Sequence, residues 1–102
     1  MSANKYPSCN VKGQGTLNKD LAFDIIDLSA ERIRIKTQAP VQMKSKVRLD
    51  VSLDGGLFII RIKSNGIVSK KIEKGYEIIF TDILNQDRTE INELMKSSCG
   101  IF

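Results

Sequence analysis

The stretch "KVRLDVSL", Lys46 to Leu53, constrains the fold more than any other. Val47, Leu49, Val51 and Leu53 take every second place, and Lys46, Arg48 and Asp50 stand between them. On a helix the four apolar side chains would scatter around the axis. On a strand they share one face, and the charges share the other. Lys44 extends the wet face by one place, so Lys44, Lys46 and Arg48 read as a basic row. The same period returns in "ERIRIKT", where Ile33 and Ile35 alternate with Arg32, Arg34 and Lys36. A chain that repeats period two must build a sheet, and its core is the set of alternate apolar residues.

The remaining segments fit that sheet. "CNVKGQGTL" and "LAFDIIDL" form a hairpin joined through Asn18 to Asp20. "DGG", Asp54 to Gly56, supplies the positive φ angles of a tight turn. "LFIIRIK" is a more deeply buried strand, and "GYEIIFTD" is another. "SNG", Ser64 to Gly66, admits two readings: a hairpin turn, or a bulge in one long strand from Leu57 to about Ile72. Phe58 and Phe80 are expected in the core, and Tyr6 and Tyr76 at edges.

One helix follows. In "DRTEINELMKSS", Asp87 and Glu90 make an acidic capping box. Ile91, Leu94 and Met95 form the stripe that docks on the sheet, and Cys99-Gly100 suits the stop. A small closed barrel disposes of unpaired strand edges, so the pattern predicts antiparallel strands in a barrel, then one helix.

Composition narrows function. With 102 residues the chain is one domain long. Its longest apolar run is four residues, "LFII", whereas a membrane-spanning helix needs about 20. "MSANKYPSCN" has no apolar segment of the secretory kind, so a cytoplasmic location is expected. Cys9 and Cys99 are then expected as reduced thiols, although termini that lie close together would allow a disulfide. Two cysteines and no histidine are too few for a metal site, and no cofactor is expected. The net charge of +4 comes mostly from scattered lysine, which is more typical of a solvated surface than of a nucleic-acid footprint. The row Lys44, Lys46, Arg48 carries no interleaved aromatic, so nucleic acid is not the expected partner.

No catalytic constellation is visible, and an enzyme is not expected. Asp24 and Asp27 are three residues apart, so a regular strand sends them to opposite faces. Ser29 has no base near it in sequence. "GQG", Gly13 to Gly15, lacks the strand–loop–helix setting of a dinucleotide site and reads as relief of crowding in the first strand.

One segment stays double. "DLSAER", Asp27 to Arg32, is a polar knot between two strands. Asp and Ser favour such corners because they bond their own backbone. Yet "DLSAERIRI", followed by "NGIVSKKIEKGYEIIFTDILNQDRTEINELM", also resembles a PilZ domain over most of the chain. "GIV", "GYEIIFTDI" and the helix carry the likeness in the C-terminal half. The resemblance implies a six-stranded antiparallel PilZ-type β-barrel with one C-terminal α-helix. It also implies a single domain over 1–102, with the barrel at about 8–83 and the helix at about 86–98.

The resemblance implies a regulatory module that binds cyclic di-GMP and passes the signal to a partner protein. Such domains use R-x-x-x-R ahead of the barrel and [D/N]-x-S-x-x-G at a strand junction. Asp27 matches the Asp/Asn place and Ser29 the serine. Arg32 stands where the glycine belongs, and no arginine precedes Arg32. Only Lys5 and Lys12 offer charge upstream, and lysine does not reproduce the forked donors of arginine. Losing two such contacts costs roughly 1.5–3 kcal/mol each, together about 10²- to 10⁴-fold in affinity. The expectation is therefore an adaptor domain degenerate for the nucleotide, with weak or absent cyclic di-GMP binding. The alternatives are a receptor in which Arg32 replaces a missing guanidinium, and a small basic barrel for nucleic acid. If cyclic di-GMP binds, Asp27, Ser29 and Arg32 carry the contacts, with Lys5 or Lys12 on phosphate. The partner surfaces expected are the exposed face of the helix and the basic row. Sequence leaves open whether the chain is a monomer or a homodimer.

Overall fold

The computed structural model describes residues 12–54 and 59–99, with side chains up to Leu94. Six strands precede one helix: β1 (Gly13–Leu17), β2 (Leu21–Leu28), β3 (Arg32–Lys36), β4 (Lys46–Asp54), β5 (Ile59–Ile72), β6 (Gly75–Phe80) and α1 (Asn85–Cys99). They close into an antiparallel barrel in the order β1-β2-β3-β6-β5-β4, with β4 returning to β1. The expected fold class holds. Among the described residues no helix is long and apolar enough to cross a membrane.

The alternation that announced β4 sets the interior. Val47, Leu49, Val51 and Leu53 are buried, and register pairs them with Gly66, Ser64, Ile62 and Ile60 of β5. Leu17, Phe23, Leu28, Ile33, Ile35, Val68, Tyr76, Ile78 and Phe80 complete the barrel core. Ile83, Ile91 and Leu94 join the same cluster, which is how α1 docks. Each fully buried aliphatic side chain contributes roughly 1.5–3 kcal/mol, so the inward rows hold the barrel shut.

"SNG" is part of one continuous strand. Ser64, Asn65 and Gly66 pair in unbroken register with Leu49, Arg48 and Val47. The bulge in β5 lies further on, between Val68 and Lys70 against β6. Gly66 is there for space: a Cβ would sit 2.6 Å from Ile78 Cγ2 and 2.9 Å from the Ile79 carbonyl oxygen. Gly15 does the same in β1, where a Cβ would meet Phe23 Cζ at 2.9 Å, as the crowding reading of "GQG" expects. The turn from β1 to β2 uses Asn18 and Lys19 at positive φ. Asn18 also locks it to β4: its backbone N–H donates to the Arg48 carbonyl at 2.8 Å, and its Oδ1 accepts from the Arg48 N–H at 2.9 Å.

Four expectations need correction. Tyr76 is not an edge residue. It is 6% exposed, its hydroxyl oxygen accepts from the Val41 N–H at 3.0 Å, and Lys71 Nζ lies 5.1 Å from the ring centre. Lys44 is not part of the β4 row. It stands in the preceding turn at φ 63°, and its Nζ donates to the Ser69 carbonyl. Asp87 does not cap α1. The Arg88 N–H donates to the Leu84 carbonyl, so the helix begins at Asn85 and Asp87 lies inside its first turn. Burial, with Glu90 beside it, pushes the Asp87 carboxyl up. The fourth correction, to Asp24 and Asp27, belongs to the site. Gly55, Gly56, Phe58, Tyr6 and Cys9, and the side chains of Met95 and Cys99, lie outside the described residues.

Candidate functional site

The corner between β2 and β3 is built from a bulge and a serine. The register runs Asp24 to Lys36 and Ile25 to Ile35, then skips to Asp27 opposite Arg34, leaving Ile26 as the extra residue. In a regular strand Asp27 would have faced Ile33 and the core. The bulge turns it outward beside Arg34, because one inserted residue inverts the facing of everything after it. Asp24 and Asp27 therefore share the outer face, contrary to the expectation from their spacing.

Ser29 closes the corner. Its backbone N–H donates to the Arg32 carbonyl at 2.9 Å. Its Oγ accepts from the N–H groups of Glu31 at 3.3 Å and Arg32 at 3.2 Å. Ser29 and Ala30 are buried, and the Glu31 carbonyl accepts from the Phe80 N–H, which pins the corner to β6. The hydroxyl is occupied by its own turn, the use that Ser makes of such corners without any ligand.

Arg32 opens β3 and points outward across β6, with Nη1 3.8 Å from Glu77 Oε1. Arg34 lies nearer: its Nε donates to Glu77 Oε1 at 3.2 Å and its Nη1 to Asp27 Oδ2 at 3.3 Å. Ser69 Oγ donates to Glu77 Oε2 at 3.0 Å, and Lys70 Nζ stands 4.0 Å from Oε1. Three cations thus converge on one carboxylate oxygen. Glu77 is 4% exposed although it is on the outer face, because the side chains of β3 and β5 cover it. Burial alone would push its carboxyl up. The hydrogen bonds from Arg34 and Ser69, with the charges of Lys70 and Arg32, outweigh burial and hold it below the usual value. The same bond to Glu77, with the charge of Asp27, holds the Arg34 guanidinium in its charged form.

The structure thus joins Asp27 and Arg32, by way of Arg34 and Glu77, and places Ser29 in the turn beneath them. Lys12 is exposed at the entry to β1, where its carbonyl accepts from the Asp54 N–H. Lys5 lies outside the described residues. Arg34, Ser69, Lys70 and Glu77 escaped the sequence reading. The signal for Arg34 was its place two residues after Arg32. Nothing local marks Glu77, whose partner Arg34 is 43 residues away.

A second polar cluster ties the entry of α1 to β5. Asp82 accepts from the Asn65 N–H and from Asn65 Nδ2, both at 2.8 Å, and from Ser64 Oγ at 3.4 Å. The Asn65 backbone bond first, then its side chain, holds the Asp82 carboxyl below its ordinary value. An open groove of about 1150 Å³ lies elsewhere, over β1, β2, β4 and β5, lined among others by Ala22, Asp24, Lys36, Asp50, Arg61 and Lys63. No group of three or more acidic, His or Cys side chains among the described residues is placed to hold a metal ion.

In comparison with solved structures, the chain matches the inhibitor of motility MotI/DgrA of Bacillus subtilis with a TM-score of 0.83. The match covers 99% of this chain and 54% of that one, at 11% sequence identity. The fold is of the PilZ type. At that identity the likeness carries the fold alone, and this chain spans about half the length of the matched protein. No family model matches the sequence, and no curated protein does.

Proposed function

We propose that this chain is a cytoplasmic PilZ-type regulatory or adaptor domain of cyclic di-GMP signalling, degenerate for the nucleotide and acting through protein contacts. The observation that carries this reading is the closed network on the β2–β3 corner. Asp27 is engaged by Arg34, Ser29 by its own turn, and Arg32 leans toward Glu77. The hydrogen-bonding groups that the family would spend on a ligand are spent inside the fold. Arg32 also carries a side chain where the family pattern has none. The matched protein is named for inhibiting motility, and a domain of this fold that acts on a protein target suits that kind of role.

A second reading rests on one specific observation. The Arg32 and Arg34 side chains are each 34% exposed, and among the described residues the Arg32 side chain is held by a single ion pair at 3.8 Å. Its guanidinium keeps donors free for a phosphate, so a receptor with a non-standard site built on Arg32 is the alternative. Calorimetric titration with cyclic di-GMP separates the two. The degenerate reading expects no saturation at micromolar nucleotide. Sub-micromolar binding that Arg32→Ala abolishes establishes the second reading and overturns the first.

A further inference from the structure

The outer face that carries the network also carries an apolar centre. Pairing lines up Arg32, Ile79, Ile67 and Lys46 across β3, β6, β5 and β4. All four side chains point outward. Ile79 is 45% exposed and Ile67 half-buried, so two β-branched aliphatic groups sit side by side on the surface, a cation at either end. The neighbouring rows add more charge. Arg34 and Lys70 flank Glu77 on one side, and Arg48 beside Asn65 on the other. Lys44 reaches in from its turn to the Ser69 carbonyl, two residues from Ile67. Asp27, Glu77 and Asp82 are the carboxylates of these rows. Each is engaged by groups of the fold, and Glu77 is covered. What faces solvent is aliphatic at the centre, with more cations than carboxylates around it; Asp82, exposed beside Arg48, and Glu31, exposed next to Arg32, are the negative groups at its edge.

We propose that this face of β3, β6, β5 and β4 is the docking surface of the domain, and that it takes an acidic protein face with an aliphatic centre. The inference rests on the adaptor reading and names its surface. The chemistry selects the partner class. Desolvated apolar contacts at the centre with charge at the rim is the anatomy of a protein interface, and arginine is among the residues that dominate such interfaces. Single-stranded nucleic acid asks for aromatic platforms, and the outward residues of these rows include none. A lipid surface asks for a larger apolar face than two isoleucines provide. A positive rim also speeds the approach of an acidic partner and rejects basic ones.

The test uses the intact chain and a defined probe. A synthetic amphipathic helix with leucines at i, i+3, i+4 and i+7, bordered by glutamates, is titrated while backbone amide shifts are followed by NMR. Parallel titrations use the same peptide with the leucines replaced by serine, a single-stranded oligodeoxynucleotide, and phosphatidylcholine–phosphatidylserine vesicles. The surface predicts saturable shifts centred on Arg32, Lys46, Ile67 and Ile79, and weak response to the serine peptide. Ile79→Asp should weaken binding by about tenfold or more, Lys46→Glu by several-fold, and Ile79→Leu little. Ile79 is exposed, so a thermal melt should find the Asp variant folded; if it does not, Lys46→Glu carries the test. The proposal falls if shifts centre on the groove of Ala22 and Arg61, or if the serine peptide binds as well. It falls equally if the oligonucleotide or the vesicles bind more tightly than the leucine peptide, or if no probe saturates. Arg32 belongs both to this surface and to the alternative nucleotide site, so cyclic di-GMP is titrated separately without peptide, and Ile79→Asp is the variant that reads the surface apart from the nucleotide. Cyclic di-GMP binding together with mapped peptide shifts would refute the degenerate reading and leave the surface standing.

Discussion

Replacing Glu77 by Gln removes the charge on which Arg34, Arg32 and Lys70 converge. A unit pair at about 4 Å with an effective dielectric constant near 20 attracts by roughly 4 kcal/mol before desolvation is counted. The cations here are one-third to more than half exposed, so water screens much of that. The Arg34 bond at 3.2 Å is the one to weigh, because Glu77 is covered and Arg34 is held from both sides. A hydrogen bond to a charged group contributes roughly 1.5–3 kcal/mol, and the amide keeps some contact with Ser69. We therefore expect Glu77→Gln to cost about 2 kcal/mol, or roughly 10 °C in Tm for a domain of this size. The chain has no tryptophan, so urea unfolding at neutral pH is followed by far-UV circular dichroism. A double-mutant cycle with Arg34→Met should return a coupling of about 1 kcal/mol or more. A cost below about 0.5 kcal/mol, or a coupling near zero, would sink the claim that this carboxylate organises the corner.

Three further outcomes follow from the same structure. Glu77 and Asp82 both have folded-state pKa values lowered from ordinary values of 4.5 and 3.8. Their stabilisation is present above the unfolded values and is lost as pH falls through the lower, folded ones, so acid unfolding should steepen there; Asp82→Asn should flatten that loss, and an unchanged acid melt would contradict the assignment. Gly66→Ala places a methyl 2.6 Å from Ile78 Cγ2 and should cost about 1–3 kcal/mol in a urea melt. Tyr76→Phe leaves the Val41 N–H without its acceptor; stability should fall by about 1 kcal/mol, and exchange at the Val41 amide should quicken.

Much of the fold was legible because period two is a local signal. The inward row of β4 could be read residue by residue, and it holds. The double nature of "SNG" shows where local chemistry stops. Asn-Gly favours a turn, but the unbroken pairing of Ser64 to Gly66 with β4 decided for strand, and the packing of Ile78 explains why glycine stands there. Asp27 failed for a related reason. A bulge is a choice made jointly by two strands, and no residue between Asp24 and Asp27 announces it. Tyr76 read as an edge residue because its hydroxyl partner lies in a loop 35 residues away. Of the candidate site, Asp27, Ser29 and Arg32 could be named, but their surroundings could not. Glu77 looked like any solvated strand glutamate until β3 was laid beside β6.

The strand order has a kinetic consequence. β1-β2-β3 and β4-β5-β6 are each a run of neighbours along the chain, and only β1 against β4 and β3 against β6 join one run to the other. Local pairs form early, and joins between distant segments wait on loop closure. The domain is thus two three-stranded halves zipped along two seams. The Arg34–Glu77 bond crosses one seam and the Asn18–Arg48 pair crosses the other. Contacts made late hold the folded state by slowing its opening. On that order of events the charged cluster beside the β2–β3 corner acts on the lifetime of the closed barrel, so Glu77→Gln should speed unfolding more than it slows folding.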